Sequence, residues 1–583
     1  MLCCPLSLHG TEYRVSSAAQ ISATLGIARP GDTLTMTNGI WSNASIMFAG
    51  YGSASAPILL RAESYGGVVL SGTSTLKISG RNLVVDGLLF RNGTSPSGAV
   101  IEFQGSNGES DSCRLTNCSI VDYNPADLTV DYKWISLYGT RNRVDHCYLH
   151  GKKHQGSTVV VWVDPARPNF HQIDHNHFGP RPRLPGNGGE TIRVGTGAVS
   201  EGNSCTIVEY NYFLQCNGDA EFVSNKSGGN IYRYNTFVGC QGTLSMRQGS
   251  GATIEGNFIF GNHLPGTGGI RLMGTDHKVY NNYVSGVDDS KSGCALAMMN
   301  GTLPGVSPNY DQVKRAVVAF NTFVDNNYTI GFGVNNNGGV LQPDSCLIAN
   351  NVFSNNNTKP IITVYTAPTN VTWQGNICFG SSLGIAQPSG IAFSDPKMGL
   401  AADGLWRPTS LSPVVNAAVG SFPYVVTDMD GQLRDATPDV GADEISFSPV
   451  TRRPLTPADV GPPSSMITAV MEPLKQHSVA PQAFELLQNY PNPFSAGGGS
   501  AFGGNPTTAI SYRLSVVSDV KLRVMDALGR EVATLVTCRQ EAGFYTVRWD
   551  ASNMPSGMYF CQMLVSDGRA ISCIETRKML LLK

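Results

Sequence analysis

IVEYNYF (207–213), IYRYNTF (231–237), TIEGNFI (253–259), VYNNYV (279–284), VVAFNTF (317–323), LIANNVF (347–353) and VTWQGNIC (371–378) share one pattern: an apolar start, a central asparagine, then an aromatic or aliphatic residue. The asparagines fall at 211, 235, 257, 282, 321, 351 and 376, in steps of 24, 22, 25, 39, 30 and 25. Weaker copies lie upstream in NLVVDGLLF (82–90), RLTNCSI (114–120), RVDHCYL (143–149) and QIDHNHF (172–178). A period in the twenties, with short β runs and Asn/Gly turns, predicts a parallel β-helix. One coil cannot bury its own apolar face, but stacked coils share a continuous core. Asparagine tolerates left-handed backbone at the corners, and its amide can bond to the amide of the next coil. The long steps, such as 282 to 321, predict coils with inserted loops. A β-propeller fits less well, because its blades need about 40 or more residues and four strands.

Outward from this ladder, the chain divides. At 583 residues it exceeds one ordinary globular domain, although repeat domains can be that long. The net charge is −2 and only 14% of residues are charged, which argues against a broad surface for nucleic acid or anionic membrane. No apolar run is long enough for a transmembrane segment. The start, MLCCPLSLHGT (1–11), reads as the remnant of a signal or leader segment. The 14 cysteines form no CxxC pair and no zinc spacing, and the central ones read as buried small hydrophobes rather than disulfides. The β-helix is expected over 12–447, and the repeat fades after DMDGQLRDATPDVGADE (428–444). A Pro-rich linker, 448–480, follows, whose prolines disfavour packed regular structure. Clean alternation in TTAISYRLS (507–515), DVKLRVMD (519–526), GFYTVRWD (543–550) and GMYFCQMLV (557–565) predicts a second domain over 481–583. The fold class is therefore all-β: a right-handed parallel β-helix followed by a small antiparallel β-sandwich.

Three segments carry chemistry: NGGETIRVG (187–195), NGDAEFVSNKSGG (217–229) and TLSMRQG (243–249). Asp219 and Glu221 are two residues apart, so on a strand they share a face. Lys226 follows, and Arg247 comes about one coil later, which places a lysine and an arginine on neighbouring rungs. Asn187, Glu190 and Arg193 stand on the preceding rung. One amide and two carboxylates suit a hard cation such as Ca²⁺, not zinc. A lysine whose amine is held partly neutral by nearby positive charge can take an acidic proton from the carbon beside a carboxylate. HQIDHNH (171–177) invites a metal reading, but on a β-helix its histidines are structural or line a substrate path, as is His150. Lys152 and Lys153 of HGKKHQG are read as loop residues able to meet an anionic sugar chain.

These segments, with NGIW (38–41), VVDGLLFRNG (84–93), YLHGKKHQGSTVVVW (148–162) and the closing DGQLRDATPDVGADE, resemble polysaccharide lyase family 6 over about residues 12–445. That family holds alginate lyases and the dermatan-sulfate-cleaving chondroitinase B. The resemblance implies Lys226 as catalytic base and Arg247 as catalytic acid, with Asn187, Asp219 and Glu221 as calcium ligands. Glu190 and Arg193 would lie beside the substrate, as would Gln248, Lys152 and His150. Two positions depart from the family pattern. Asp219 replaces the usual glutamate and is one methylene shorter, and Gln248 stands where alginate-active members often carry histidine. The implied reaction is Ca²⁺-assisted β-elimination on a uronate polymer, alginate first and dermatan sulfate as the alternative. A β-helix glycoside hydrolase, working through carboxylates and water, is the rival enzyme. A non-catalytic adhesin is the rival outside enzymes. FELLQNYPNPF (484–494), VMDALGREVATLV (524–536), AGFYTVRWDA (542–551) and the final KMLLLK resemble a type IX secretion sorting domain. That likeness implies export through the periplasm to the cell surface or medium, with the type IX machinery as partner.

Overall fold

The computed structural model describes residues 10–306, 310–335, 338–467 and most of 484–582. The leader call on 1–11 falls almost wholly outside these residues. The chain separates into two compact units, 1–470 and 471–583. In the first, each coil gives one strand to each of three parallel sheets, of 14, 12 and 14 strands, so the unit is a parallel β-helix. The sequence forms it because alternate side chains of every short strand point inward. In the 12-stranded sheet, Ile135, Val159, Ile192, Val223, Leu244 and Ile270 stand in register along one row and are fully buried. A fully buried aliphatic side chain stabilises by about 1.5–3 kcal/mol, so such rows dominate the unit's stability.

The asparagine ladder exists as a chain of amide contacts. The Oδ1 of Asn235 accepts from both the backbone amide and the Nδ2 of Asn211, each at 3.0 Å. The same pattern passes through Asn257, Asn282, Asn321, Asn351 and Asn376. One detail differs from expectation. The left-handed backbone belongs to the residue before each asparagine, as at Tyr210, Tyr234, Asn281, Phe320 and Asn350. That preceding residue turns the corner, which frees the asparagine to point inward. Upstream, cysteine takes the ladder position: the Leu88 amide bonds to Cys118 Sγ at 3.4 Å. The described central cysteines carry free thiols, and all but the half-buried Cys205 are buried.

The described part of the Pro-rich segment lies against the β-helix. Residues 448–463 lack regular structure but are packed on the β-helix. The Leu455 amide donates to Thr236 Oγ1 at 2.8 Å, the Gly461 amide donates to the His175 carbonyl at 2.8 Å, and the Arg452 guanidinium lies 4.4 Å from the Tyr234 ring centre. Val460 and Met466 are buried. Proline removes ladder donors, but an extended strap still buries side chains in a surface groove. Residues 468–480 lie outside the described residues. Among the described residues, no helix is long and apolar enough to cross a membrane.

The second unit has a three-stranded antiparallel sheet and a five-stranded sheet, antiparallel except for the short Phe494–Ser495 strand. Its core gathers Leu486, Ile510, Tyr512, Leu522, Trp549, Met563 and Leu581 from both sheets, as a sandwich requires.

Candidate active site

Four neighbouring strands of the 12-stranded sheet carry the site: β1 (Ile192–Val194), β2 (Glu221–Lys226), β3 (Gly242–Gln248) and β4 (Thr267–Leu272). Their pairing is interrupted where function is expected. Between β2 and β3 the register runs Asn225 to Met246 and then Lys226 to Gln248, which leaves Arg247 as an extra residue. A second irregularity lies between Glu221 and Val223. Bulges bend a strand and re-aim side chains, and here the one between Asn225 and Lys226 falls at Lys226 and Arg247.

Both cations bond to carboxylates on this face. Lys226 Nζ donates to Glu190 Oε1 at 3.4 Å, and Glu190 Oε2 accepts from Ser157 Oγ at 2.9 Å. Arg247 Nη1 donates to Glu221 Oε1 at 2.9 Å. The same oxygen accepts from Arg271 Nη2, while Glu221 Oε2 accepts from Ser224 Oγ. Burial alone would raise the Glu221 carboxyl; the charges of Arg271, Arg247 and Lys226 hold it below its ordinary value. Asp219 is shifted the other way. Burial and the negative charges of Glu190 and Glu221 push it up, against the Gly188 and Gly189 amides that donate to its Oδ2 at 2.7 and 3.1 Å. Lys226 and Arg247 keep 15% and 24% of their side chains exposed, so both reach the surface.

The structure sorts the remaining candidates. Arg193, on β1, lies beside Ser224, with its guanidinium 5.6 Å from the Trp162 ring centre. Gln248 is paired with Lys226 and nearly buried. Asn187 is exposed on the loop before β1, where its carbonyl accepts from Gln155 Nε2. Lys152 is corrected as a substrate contact. Lys152 is 2% exposed, and its Nζ donates to the Tyr132 and Gln155 carbonyls at 3.0 and 3.2 Å. Burial pushes its ammonium well below the usual lysine range. The HGKKHQG loop turns this side chain under itself, where backbone carbonyls replace water. His150 sits on the Tyr148–His150 strand of a different sheet and bonds through Nδ1 to Tyr148 Oη at 3.1 Å.

Sequence reasoning missed three contributors. Arg271 could have been found by extending the rung spacing one coil past Arg247. Tyr310 carried no signal, because it comes from the long insert between the rungs of Asn282 and Asn321. Its hydroxyl accepts from Arg247 Nη2 at 3.3 Å. Arg181 is buried behind the face, donating to the His154, Gly156 and Glu190 carbonyls at 3.0, 3.2 and 3.2 Å.

The described carboxylates that gather within 4.8 Å of one another are Asp428, Asp430 and Asp443, far along the chain in the closing segment. Arg407 bonds Asp430 and Asp443 at 2.6 and 2.9 Å, yet burial and neighbouring carboxylates still push Asp428 and Asp443 up, so that cluster keeps unmet negative charge. At the β2 site the carboxylate charge is met only in part, since Asp219 stays raised.

The chain matches the family model described as chondroitinase B over residues 15–416. Among solved structures, the PL6 family alginate lyase AlyGC is 32% identical with a TM-score of 0.66, and the match covers 76% of this chain and 60% of that one. A mannuronic acid specific polysaccharide family 6 lyase from human gut microbiota is 33% identical with a TM-score of 0.58, covering 64% of this chain and 87% of that one. The PL6 family polysaccharide lyase Pedsa3628 from Pseudopedobacter saltans is 27% identical with a TM-score of 0.56, covering 74% and 98%. No curated protein matches the chain. The chain thus spans 60% of the length of AlyGC and nearly all of Pedsa3628. With its β-helix coils and the Lys226/Arg247 face both inside the matched span, the chain belongs to the chondroitinase B family.

Proposed function

We propose that the β-helix unit is a polysaccharide lyase that cleaves a uronate polymer, alginate above others, by β-elimination. The observation that carries this reading is the placement of Lys226 and Arg247 on adjacent rungs, both partly exposed and both within the field of Glu221. In the proposed step, the amine of Lys226 removes the C5 proton of a uronate. The C–H electrons form the C4–C5 double bond, the C4–O4 bond breaks, and the departing oxygen takes a proton. Arg247 stabilises the charge on that oxygen; a guanidinium is a weak acid, and its strength here is electrostatic. Two guanidiniums on one Glu221 oxygen fix Arg247 in place before substrate arrives.

Asn187, Asp219 and Glu221 fit a hard cation in kind, because each can offer an oxygen ligand. The raised Asp219 carboxyl also marks a deficit of positive charge that a cation would relieve. Bound there, Ca²⁺ would supply Lewis-acid stabilisation to the substrate carboxylate. Alginate is favoured over dermatan sulfate because the solved relatives above 30% identity are named as an alginate lyase and a mannuronic acid specific lyase.

Lys226→Ala and Arg247→Ala should each abolish the ultraviolet absorbance of unsaturated product on alginate. Full activity in either variant removes that residue from the reaction. We further propose that the second unit is a type IX sorting domain that directs export, supported by FELLQNYPNPF and the other matching motifs. Deleting 481–583 should stop secretion and spare catalysis; loss of polymer binding with secretion intact would make it a carbohydrate-binding appendage.

A further inference from the structure

Two recesses flank the Lys226/Arg247 face, one at each end of the strands that carry it. The first, of about 350 Å³, lies at the start of β2 and β3, where Ala220, Gly242 and Thr243 line it. The second, of about 460 Å³, lies past the ends of the same strands, beside Gly228, Gly249 and Ser250. Each is tied to the reacting centre by a contact already described. Arg271 lines the first and shares Glu221 Oε1 with Arg247; Tyr310 lines the second and accepts from Arg247 Nη2. A polymer crossing the face along the strand direction therefore meets one recess before the pair and the other after it.

The recesses differ in charge. The first carries the exposed guanidinium of Arg183 and that of Arg271, which is paired with Glu221, beside the carboxylate of Asp289. The second carries the carboxylates of Glu201 and Asp311 and, among the described residues that line it, no lysine or arginine, with hydroxyls from Ser200, Ser250, Thr275 and Thr302. Glu201 is exposed and Asp311 half-buried. Burial holds the Asp311 carboxyl above its ordinary range, and the Glu201 charge adds to this. Every sugar of a polyuronate is an anion. Such a chain is attracted over the first recess and repelled along the second, since like charges in a cleft act strongly against a wrong ligand.

We propose that this charge step sets where the polymer is cut: the body of the chain lies over the Arg183/Arg271 recess and only a short end passes Arg247, so the enzyme releases small products from a chain terminus. The inference rests on the lyase reading above. Glu201 and Asp311 are then specificity determinants that disfavour internal cleavage, and Arg183 anchors the body of the polymer.

The test uses the full chain and poly-mannuronate at low salt, comparing wild type with Glu201→Gln, the double variant Glu201→Gln/Asp311→Asn, and Arg183→Ala. Product length at early conversion and viscosity loss per unsaturated end are the readouts. The wild type should give short products from the outset, with slow viscosity loss. The double variant should give longer early products and a KM for polymer lower by roughly three- to tenfold, and that gain should shrink at high salt as screening sets in. Arg183→Ala should raise the polymer KM by a similar factor. Long early products from the wild type, or an unchanged product ladder in the double variant, would overturn the proposal. A wild type that makes no unsaturated product from any uronate polymer instead fails the lyase reading, and the cleavage-site proposal falls with it.

Discussion

Asn225 lies between Lys226 and the core, and replacing it with alanine tests whether the spacing of the two cations is built in. Its Nδ2 donates to the Ser227 carbonyl at 2.9 Å and, across the rung, to the Gln248 carbonyl at 2.8 Å. Its Oδ1 accepts from Asn230 Nδ2 at 2.7 Å and from Tyr232 Oη at 2.9 Å. Asn225, Asn230 and Tyr232 are all buried. This amide thus ties the turn carrying Lys226 to the backbone just after Arg247. Asn230 and the Ser227 carbonyl keep each other as partners in an Asn225→Ala variant. The Tyr232 hydroxyl and the Gln248 carbonyl each lose a bond in the dry interior, at about 1–3 kcal/mol apiece. The expected destabilisation is therefore about 2–6 kcal/mol, read from the denaturant midpoint of the β-helix unit. Tyr232→Phe, which deletes one of these bonds and leaves Asn225 satisfied by Asn230, should cost about 1 kcal/mol. Assayed at a temperature where the variant stays folded, Asn225→Ala should lose kcat by about tenfold or more with a smaller change in KM, since misplacement of reacting groups by about 1 Å is that costly. Stability within about 0.5 kcal/mol of wild type, typical of a surface change, would refute the reasoning.

Other consequences follow from the same geometry. Arg271→Met leaves Glu221 buried with one guanidinium instead of two, and should cost about 3 kcal/mol or more in a denaturant titration together with most of the activity. His171 and His277 are buried, and burial pushes them down to about 3 and about 4. His277 accepts from the Ala252 amide at Nδ1 and donates to the Met273 carbonyl from Nε2, which only a neutral ring can do. Because the unfolded chain takes up these protons first, stability is present above about pH 6.5 and drains away as pH falls towards 4, by up to about 1.4 kcal/mol per pH unit per histidine. Asn142 and Asn230 make the matching backbone contact on other rungs, so His171→Asn/His277→Asn should move the acid-unfolding midpoint to lower pH. EDTA should lower both the melting temperature and the activity, with recovery on adding Ca²⁺; an unchanged melting temperature would argue that the guanidiniums alone satisfy the carboxylates.

Much of the β-helix was legible because its ladder asparagines must recur once per coil, and the motif around each one survives even where an inserted loop lengthens the step to 39. The corner conformation was not, since left-handed backbone at Tyr210 or Phe320 is a tertiary compromise that residue preference would not choose. At the site, Lys226, Arg247 and Glu221 could be read from alternation and coil length. Lys152 could not be placed, because nothing in HGKKHQG says that the loop folds its first lysine inward. Tyr310 was equally hidden: an insert has no register with the rungs, so its return to Arg247 is visible only in three dimensions. The prolines of 448–463 correctly exclude strands, yet they do not tell an open linker from a strap lying in a groove.

The sharpest test of the whole account follows a single hydrogen. Oligouronate carrying deuterium at C5 should react more slowly than its ordinary counterpart with the wild-type enzyme, and every newly formed non-reducing end should have lost the label, while Lys226→Ala should leave the substrate intact. Products that keep deuterium at C5 would mean that the bond is cut without removing that proton, and the role assigned to Lys226 would be wrong.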